Sequence, residues 1–157
     1  CDNLTGVSFL KYLNRTIEKL YICKKTMGFF GIFGSKNNAP AQKKKQLPWN
    51  ELNNIGQLEE IETGSLSVPV AIFKHSTRCG ISRMVLRNFE HAFGTDTSKM
   101  KLYFLDVLAH RNISDQLAHK FKVVHQSPQL IVIKNGVAVW HASHNGIDAG
   151  AVHSLVC

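Results

Sequence analysis

Apolar and polar positions along this chain follow two rhythms, and the switches between them mark its elements. Val68-Pro69-Val70-Ala71-Ile72-Phe73-Lys74 is a short, nearly continuous apolar run, the signature of a buried strand. From residue 79 to 93 the spacing becomes helical, with Ile81, Val85, Phe89 and Ala92 on one side and Met84 beside them. Leu86 and Phe93 widen that apolar surface, so this helix is expected to pack on more than one neighbour. Lys101 to Val107 alternates and then runs apolar, which predicts a second strand. Asn112 is placed to cap a helix through Leu117 and Ala118 to Phe121, with Asp115 at its N3 position. Gln129 to Lys134 reads as a strand and Val137 to Ala142 as its return. Between them Asn135-Gly136 is the strongest hairpin signal in the chain. Residues 147–156 close with a helix bearing Ile147, Ala151, Val152 and Leu155. Upstream, Trp49 to Asn53 predicts a short edge strand. Gly56 to Glu62 predicts a helix with Leu58 and Ile61 inward and Glu59, Glu60 and Glu62 outward.

This order specifies an α/β fold, a mixed β-sheet flanked by helices on both faces. Strands joined through helices are expected to run parallel, and the hairpin makes the last pair antiparallel. The domain spans residues 47–157. Residues 1–46 are expected to be an N-terminal extension and flexible linker, with an amphipathic helix over 4–25 and a Ser/Asn/Pro/Lys-rich linker over 34–46. The chain begins with Cys, and Met27 heads an independent start. The expectation is therefore either that residues 1–26 are an upstream extension, with the natural protein beginning at Met27, or that the chain is a truncated gene product. A lipidated Cys1 is the competing reading, without a visible signal peptide to support it.

Charge changes the picture less than its total suggests. The net charge is +8, but residues 1–48 carry nine Lys/Arg against two Asp/Glu, and residues 49–157 carry ten against nine. The folded part is nearly neutral, so nucleic acid is not an expected partner. No stretch approaches the roughly 18 apolar residues of a membrane span. Cys1, Cys23, Cys79 and Cys157 match neither zinc spacing nor a dense disulfide framework, so free thiols in the cytoplasm and no metal are expected. His141 and His144 lie three apart in a strand-like run. Their side chains would point to opposite faces, which argues against a metal pair.

The chemistry concentrates in Lys74-His75-Ser76-Thr77-Arg78-Cys79-Gly80-Ile81-Ser82, where a strand hands over to a helix. Unpaired amides and the helix dipole favour a thiolate at such a junction, and Arg78 adds a full positive charge. Cys79 is thus placed to be a nucleophile. Ser82 stands where a dithiol enzyme carries its second cysteine, and its hydroxyl is placed to donate a hydrogen bond to the Cys79 sulfur. His75 and His125 are either packed residues or, if protonated, thiolate stabilisers.

These residues carry a family resemblance, together with Leu105-Asp106-Val107, Arg111-Asn112-Ile113-Ser114, His125-Gln126-Ser127-Pro128-Gln129 and Trp140-His141-Ala142-Ser143-His144. Over residues 47–156 the chain resembles the YtxJ-type redox proteins of the bacillithiol system, thioredoxin-like monothiol bacilliredoxins. The resemblance implies a thioredoxin-like fold and reduction of mixed disulfides between protein cysteines and bacillithiol through Cys79. Bacillithiol is then a co-substrate, with no bound cofactor. It also implies a cis bond before Pro128, which would leave the Ser127 backbone free to pair with an extended substrate. Bacillithiol carries a malate unit, so Lys74, Arg78, Arg83 and Arg111 are the candidate cations for its carboxylates. A monomer acting on bacillithiolated proteins is expected. Cys23 and Cys157 are remote candidates for a resolving thiol. Two other readings stay open. Cys79-Gly80-Ile81-Ser82 resembles the Cys-Gly-Phe-Ser site of monothiol glutaredoxins that share an iron–sulfur cluster, with Ile81 in place of the phenylalanine. A non-catalytic thioredoxin-like binding module is the other.

Overall fold

Residues 47–94 and 97–156 are described by a computed structural model of the protein. The helix expected over 4–25, the start at Met27 and the linker over 34–46 lie outside the described residues.

The apolar run becomes the central strand. In chain order the elements are β1 (Asn50–Glu51), α1 (Gln57–Gly64), β2 (Val70–His75), α2 (Gly80–Phe93), β3 (Lys101–Asp106), α3 (Arg111–Lys120), β4 (Gln129–Lys134), β5 (Val137–Ser143), a single 3-10 turn (His144–Gly146) and α4 (Ala149–Ser154). The sheet order is β1-β3-β2-β4-β5. Every residue of β2 is buried, because strands flank it and helices cover both of its faces.

The period-2 alternation of strands sorts the core into two layers. Val70, Ile72, Ile131 and Ile133 face one side and pack with Leu58 and Ile61 of α1 and Ile113 and Leu117 of α3. Ala71, Phe73, Leu130 and Val132 face the other and pack with Val85, Phe89 and Phe93 of α2 and Ala149 and Val152 of α4. Trp49 locks this second layer. Its ring meets Phe73 edge-on at 6.0 Å and lies 6.3 Å from Phe89. Its indole N–H donates to Glu90 Oε1 at 2.8 Å. The expectation that α2 contacts several neighbours is met by this aromatic group.

Two expectations need correction. β1 and β2 each run parallel to β3, but β4 runs antiparallel to β2, although a helix joins β3 to β4. Ten helical residues of α3 advance about 15 Å. The eight residues after it, Phe121 to Pro128, can span that distance again in extended form. The chain therefore returns to the end of the sheet it left, and Gln129 pairs with Lys74. Nor does Asn112 cap α3. The helix starts at Arg111 with His110 at the cap position, and Asp115 forms an ion pair with Arg111 instead. The α1 carboxylates face outward as expected, and there Lys120 bonds both Glu59 and Glu62 at 2.7 Å.

The hairpin forms as expected. Asn135 (φ 54°) and Gly136 (φ 78°) both take the left-handed conformation of a tight two-residue turn. Buried Ser65 ties this turn down: its carbonyl accepts from Asn135 N at 3.0 Å and its hydroxyl from Gly136 N at 2.8 Å. Gly136→Ala is expected to cost about 1–2 kcal/mol, from the left-handed backbone alone. No clash adds to it, because the nearest atom to an added Cβ is Glu62 Cγ at 3.7 Å. Urea denaturation measures this, and an unchanged midpoint would contradict the turn geometry.

Candidate active site

β2 ends at His75, and the chain reaches α2 through one short loop. The Cys79 N–H donates to the Ser76 carbonyl at 3.1 Å, and the Cys79 carbonyl accepts from Arg83 N at 3.1 Å as the first helical bond. Cys79 itself is extended (φ −97°, ψ 118°) at the cap position and makes no side-chain capping bond. It is a free, partly exposed thiol. The amides of Gly80, Ile81 and Ser82 follow it with no carbonyl inside the helix to bond. The helix dipole adds to their positive potential. Arg78 and Arg83 stand exposed on either side of the cysteine in sequence.

Ser82 is fully buried. Its hydroxyl accepts from Ser76 N at 3.1 Å and pairs with His75 Nδ1 at 2.8 Å. Among the described residues it makes no bond to the Cys79 sulfur, which corrects the expected donation. At N3 of α2 its side chain turns inward, where the end of β2 supplies better-placed partners. His75 is buried and lies against Phe104, ring centroids 5.3 Å apart. Burial lowers its pKa below 6.5, with Asp106 opposing, Arg83 assisting and Glu90 opposing. A neutral His75 therefore braces the cysteine loop and does not supply a positive charge.

Lys74 points to the opposite face, and this is the largest departure from expectation. It was a candidate surface cation, yet it is fully buried. Its Nζ lies 2.9 Å from His125 Nδ1. His125 Nδ1 also lies 2.9 Å from Ser114 Oγ of α3. Burial brings Lys74 from 10.5 down to about 8, with Asp115 opposing and Arg111 assisting. His125 is also lowered, by burial first and then by Lys74 and Arg111, against Asp115. It is neutral at pH 7 and provides no cation for a thiolate.

Gln129, the cross-strand partner of Lys74, completes this second cluster. Its amide donates to the Val124 carbonyl at 2.9 Å and accepts from Gln126 N at 3.2 Å. These bonds shape the loop that ends in Ser127–Pro128, a cis peptide. The Ser127 hydroxyl is buried and has no hydrogen-bond partner among the described residues. β2 and β4 are antiparallel neighbours, so the loop after β2 and the loop before β4 share one end of the sheet.

The fold thus gathers Lys74, His75, Cys79, Ser82, His125, Ser127 and Pro128 around the end of β2. Arg111 sits on α3, exposed and paired with Asp115 at 3.2 Å. Of the four expected cations, three face solvent and Lys74 does not. Sequence reasoning assigned no role to Ser114 or Gln129. The available signal was a polar residue on an apolar face: Ser114 between Ile113 and Leu117, and Gln129 in register with Ile131 and Ile133. Among the described residues no group of three or more His, Cys, Asp or Glu is arranged to hold a metal.

A five-stranded mixed sheet with a cysteine at the start of its second helix and a proline loop beside it defines a thioredoxin-fold protein of thiol redox type. Comparison with known proteins agrees. A solved protein assigned as an oxidoreductase with a thioredoxin fold is 31% identical, with a TM-score of 0.57, over 66% of this chain and 89% of that one. Thioredoxin from Malassezia sympodialis (21% identity, TM-score 0.52, 69% and 87% covered) shares the fold. So does thioredoxin from Fasciola hepatica (18% identity, TM-score 0.50, 68% and 95% covered). The family model of monothiol bacilliredoxin BrxC matches residues 50–152. This chain belongs to that family.

Lys74 gives a pH test with a definite sign. Its folded pKa of about 8 lies below the ordinary 10.5, so between these values the unfolded chain holds the extra proton. Raising pH through that window then favours folding, by at most about 1.4 kcal/mol per pH unit. Lys74→Met removes the effect. The stability of the native protein relative to this variant is expected to rise between pH 8 and pH 10, as read by urea denaturation; a flat difference would mean that Lys74 is not buried as an amine.

Proposed function

We propose that this protein reduces mixed disulfides between protein cysteines and bacillithiol, with Cys79 as the nucleophile. The observation that carries the reading is a single thiol at the start of α2, with a buried serine at the position of a resolving cysteine. Its membership of the monothiol bacilliredoxin family supports the choice of small thiol.

The reaction is two exchanges. Cys79 thiolate attacks the bacillithiol sulfur of the mixed disulfide, and the protein thiolate leaves and takes a proton. Cys79 now holds bacillithiol in a disulfide. A second bacillithiol thiolate attacks that bond, releasing oxidised bacillithiol and regenerating Cys79. Rates in both steps follow the thiolate fraction of the attacker and the acidity of the leaving thiol. The start of α2 places the partial positive charge of the helix dipole beside Cys79, where sulfur carries negative charge at the start and finish of the cycle. Ser82 cannot offer a second sulfur, and its hydroxyl is held by His75 and Ser76.

The exposed guanidinium groups of Arg78, Arg83 and Arg111 are the groups suited to the malate carboxylates. Ser127 precedes β4 with no backbone hydrogen bond among the described residues, which suits pairing with an extended substrate. No helix among the described residues is long and apolar enough to cross a membrane. In this reading the protein works as a monomer in the cytoplasm, using bacillithiol as co-substrate and no bound cofactor.

The test is release of bacillithiol from a bacillithiolated protein, followed by mass spectrometry. Cys79→Ala is expected to abolish release, while Cys23→Ser and Cys157→Ser retain it. The native protein exposed to oxidised bacillithiol is expected to gain one bacillithiol on Cys79. Release by Cys79→Ala at the native rate would overturn the mechanism.

A further inference from the structure

We propose that Lys74 is a positioning residue that, with Ser114, holds the His125 ring in one orientation and in its Nε2–H tautomer. The loop before Ser127–Pro128 then presents a neutral N–H donor. The proposal deepens the reductase reading, since the donor would serve the substrate bound beside Ser127; the tautomer itself is independent of that reading.

Geometry carries the argument. One ring nitrogen, His125 Nδ1, has two polar neighbours at 2.9 Å, Lys74 Nζ and Ser114 Oγ. An ammonium has three donors and no acceptor. While Lys74 is charged, Nδ1 must therefore accept, and the ring proton must sit on Nε2. Among the described residues Nε2 has no partner, so its N–H is available to an acceptor from outside. A neutral amine lifts the constraint, because it can accept from Nδ1–H. Lys74 is held inside by position: it follows Phe73 in a fully buried strand and cannot retract to solvent.

The charged and titratable groups facing this cluster are His125 from the loop and Arg111 and Asp115 from α3. Asp115 favours the Lys74 ammonium, and burial and Arg111 oppose it, giving titration at about pH 8. His125 is pushed in the direction of the neutral ring, so its tautomer is the variable that remains. The loop is fixed on its other side by Gln129, which bonds Val124 and Gln126 on either side of His125. Lys74 and Gln129 thus grip the same loop from neighbouring strands.

The consequence is a hydrogen-bond donor that carries no charge. Its natural acceptor is a carboxylate or carbonyl oxygen on the disulfide-bearing substrate. A protonated histidine would serve the same acceptor but would vary with pH near 6.5. The buried lysine moves that dependence upward.

Histidine-selective 15N NMR tests this on the full chain. At pH 7 native His125 is expected as the Nε2–H tautomer, moving to a mixture with Nδ1–H as pH rises through about 8. Lys74→Met is expected to give that mixture already at pH 7, with Nδ1–H donating to Ser114, and to show no step near 8. Ser114→Ala keeps the lysine and is expected to keep the Nε2–H form, which guards against a general folding defect. In mixed-disulfide reduction Lys74→Met should lose about tenfold in kcat/KM, the order of one lost hydrogen bond, with the alkylation rate of Cys79 by iodoacetamide unchanged. A native ring in the Nδ1–H form at pH 7, or an unaltered tautomer in Lys74→Met, overturns the proposal. An altered tautomer with native kcat/KM refutes its role in positioning. A native protein that releases no bacillithiol refutes the reductase reading and leaves the tautomer result standing.

Discussion

The arrangement of this molecule turns on a desolvation problem at the end of its central strand. Lys74 and His75 are consecutive, both buried, and point to opposite faces of the sheet. A polar group withdrawn from water costs several kcal/mol unless another polar group meets it. Each therefore needs a partner on its own face. His75 finds Ser82 at the start of α2. Lys74 finds His125, with Ser114 of α3 at the same nitrogen. The two partners belong to the two segments that carry Cys79 and Pro128, so satisfying one strand end fixes both segments relative to it.

The apolar layers supply the rest of the stiffness. On the α2 side the rings of Trp49, Phe73, Phe89 and Phe93 form a connected group that extends to His153 at 4.5 Å. This holds the second half of α2 against the sheet at Phe89 and Phe93. On the α3 side Ile113 and Leu117 bury the helix, and the Ser114 hydroxyl between them reaches His125 of the loop. Packing decides where each helix lies, and the polar contacts decide how the last residues of each loop are turned.

Local pattern made much of this legible. The apolar run of β2, the bounds of β4 and the Asn135-Gly136 turn follow from residues adjacent in the chain, and so does the placing of Cys79 at a strand-to-helix junction. What was hidden depends on distant partners. The direction of β4 hinges on how far an eight-residue loop travels back, which composition does not encode. Lys74 sits at the edge of an apolar run, where a strand ending in solvent and one ending inside read alike; only β3, β4 and α3 together bury it. Ser82 was expected at the sulfur because sequence spacing shows which residues share a helix face. It does not show that His75 competes for the same hydroxyl. Arg111 is a cation in the sequence with an acid four residues on, and spacing alone does not tell that Asp115 pairs with it at 3.2 Å.

The end of the sheet remote from Cys79 is built on a different plan. There Ser65 stitches the β4–β5 hairpin to the segment after α1 through backbone and hydroxyl alike, and its own hydroxyl also bonds the Glu62 carbonyl at 2.7 Å. A two-residue hairpin tip is ordinarily the first place to splice in a reporter peptide or a new chain terminus. In this protein that tip is a seam, and an engineer who opened it would unpick α1 along with the sheet.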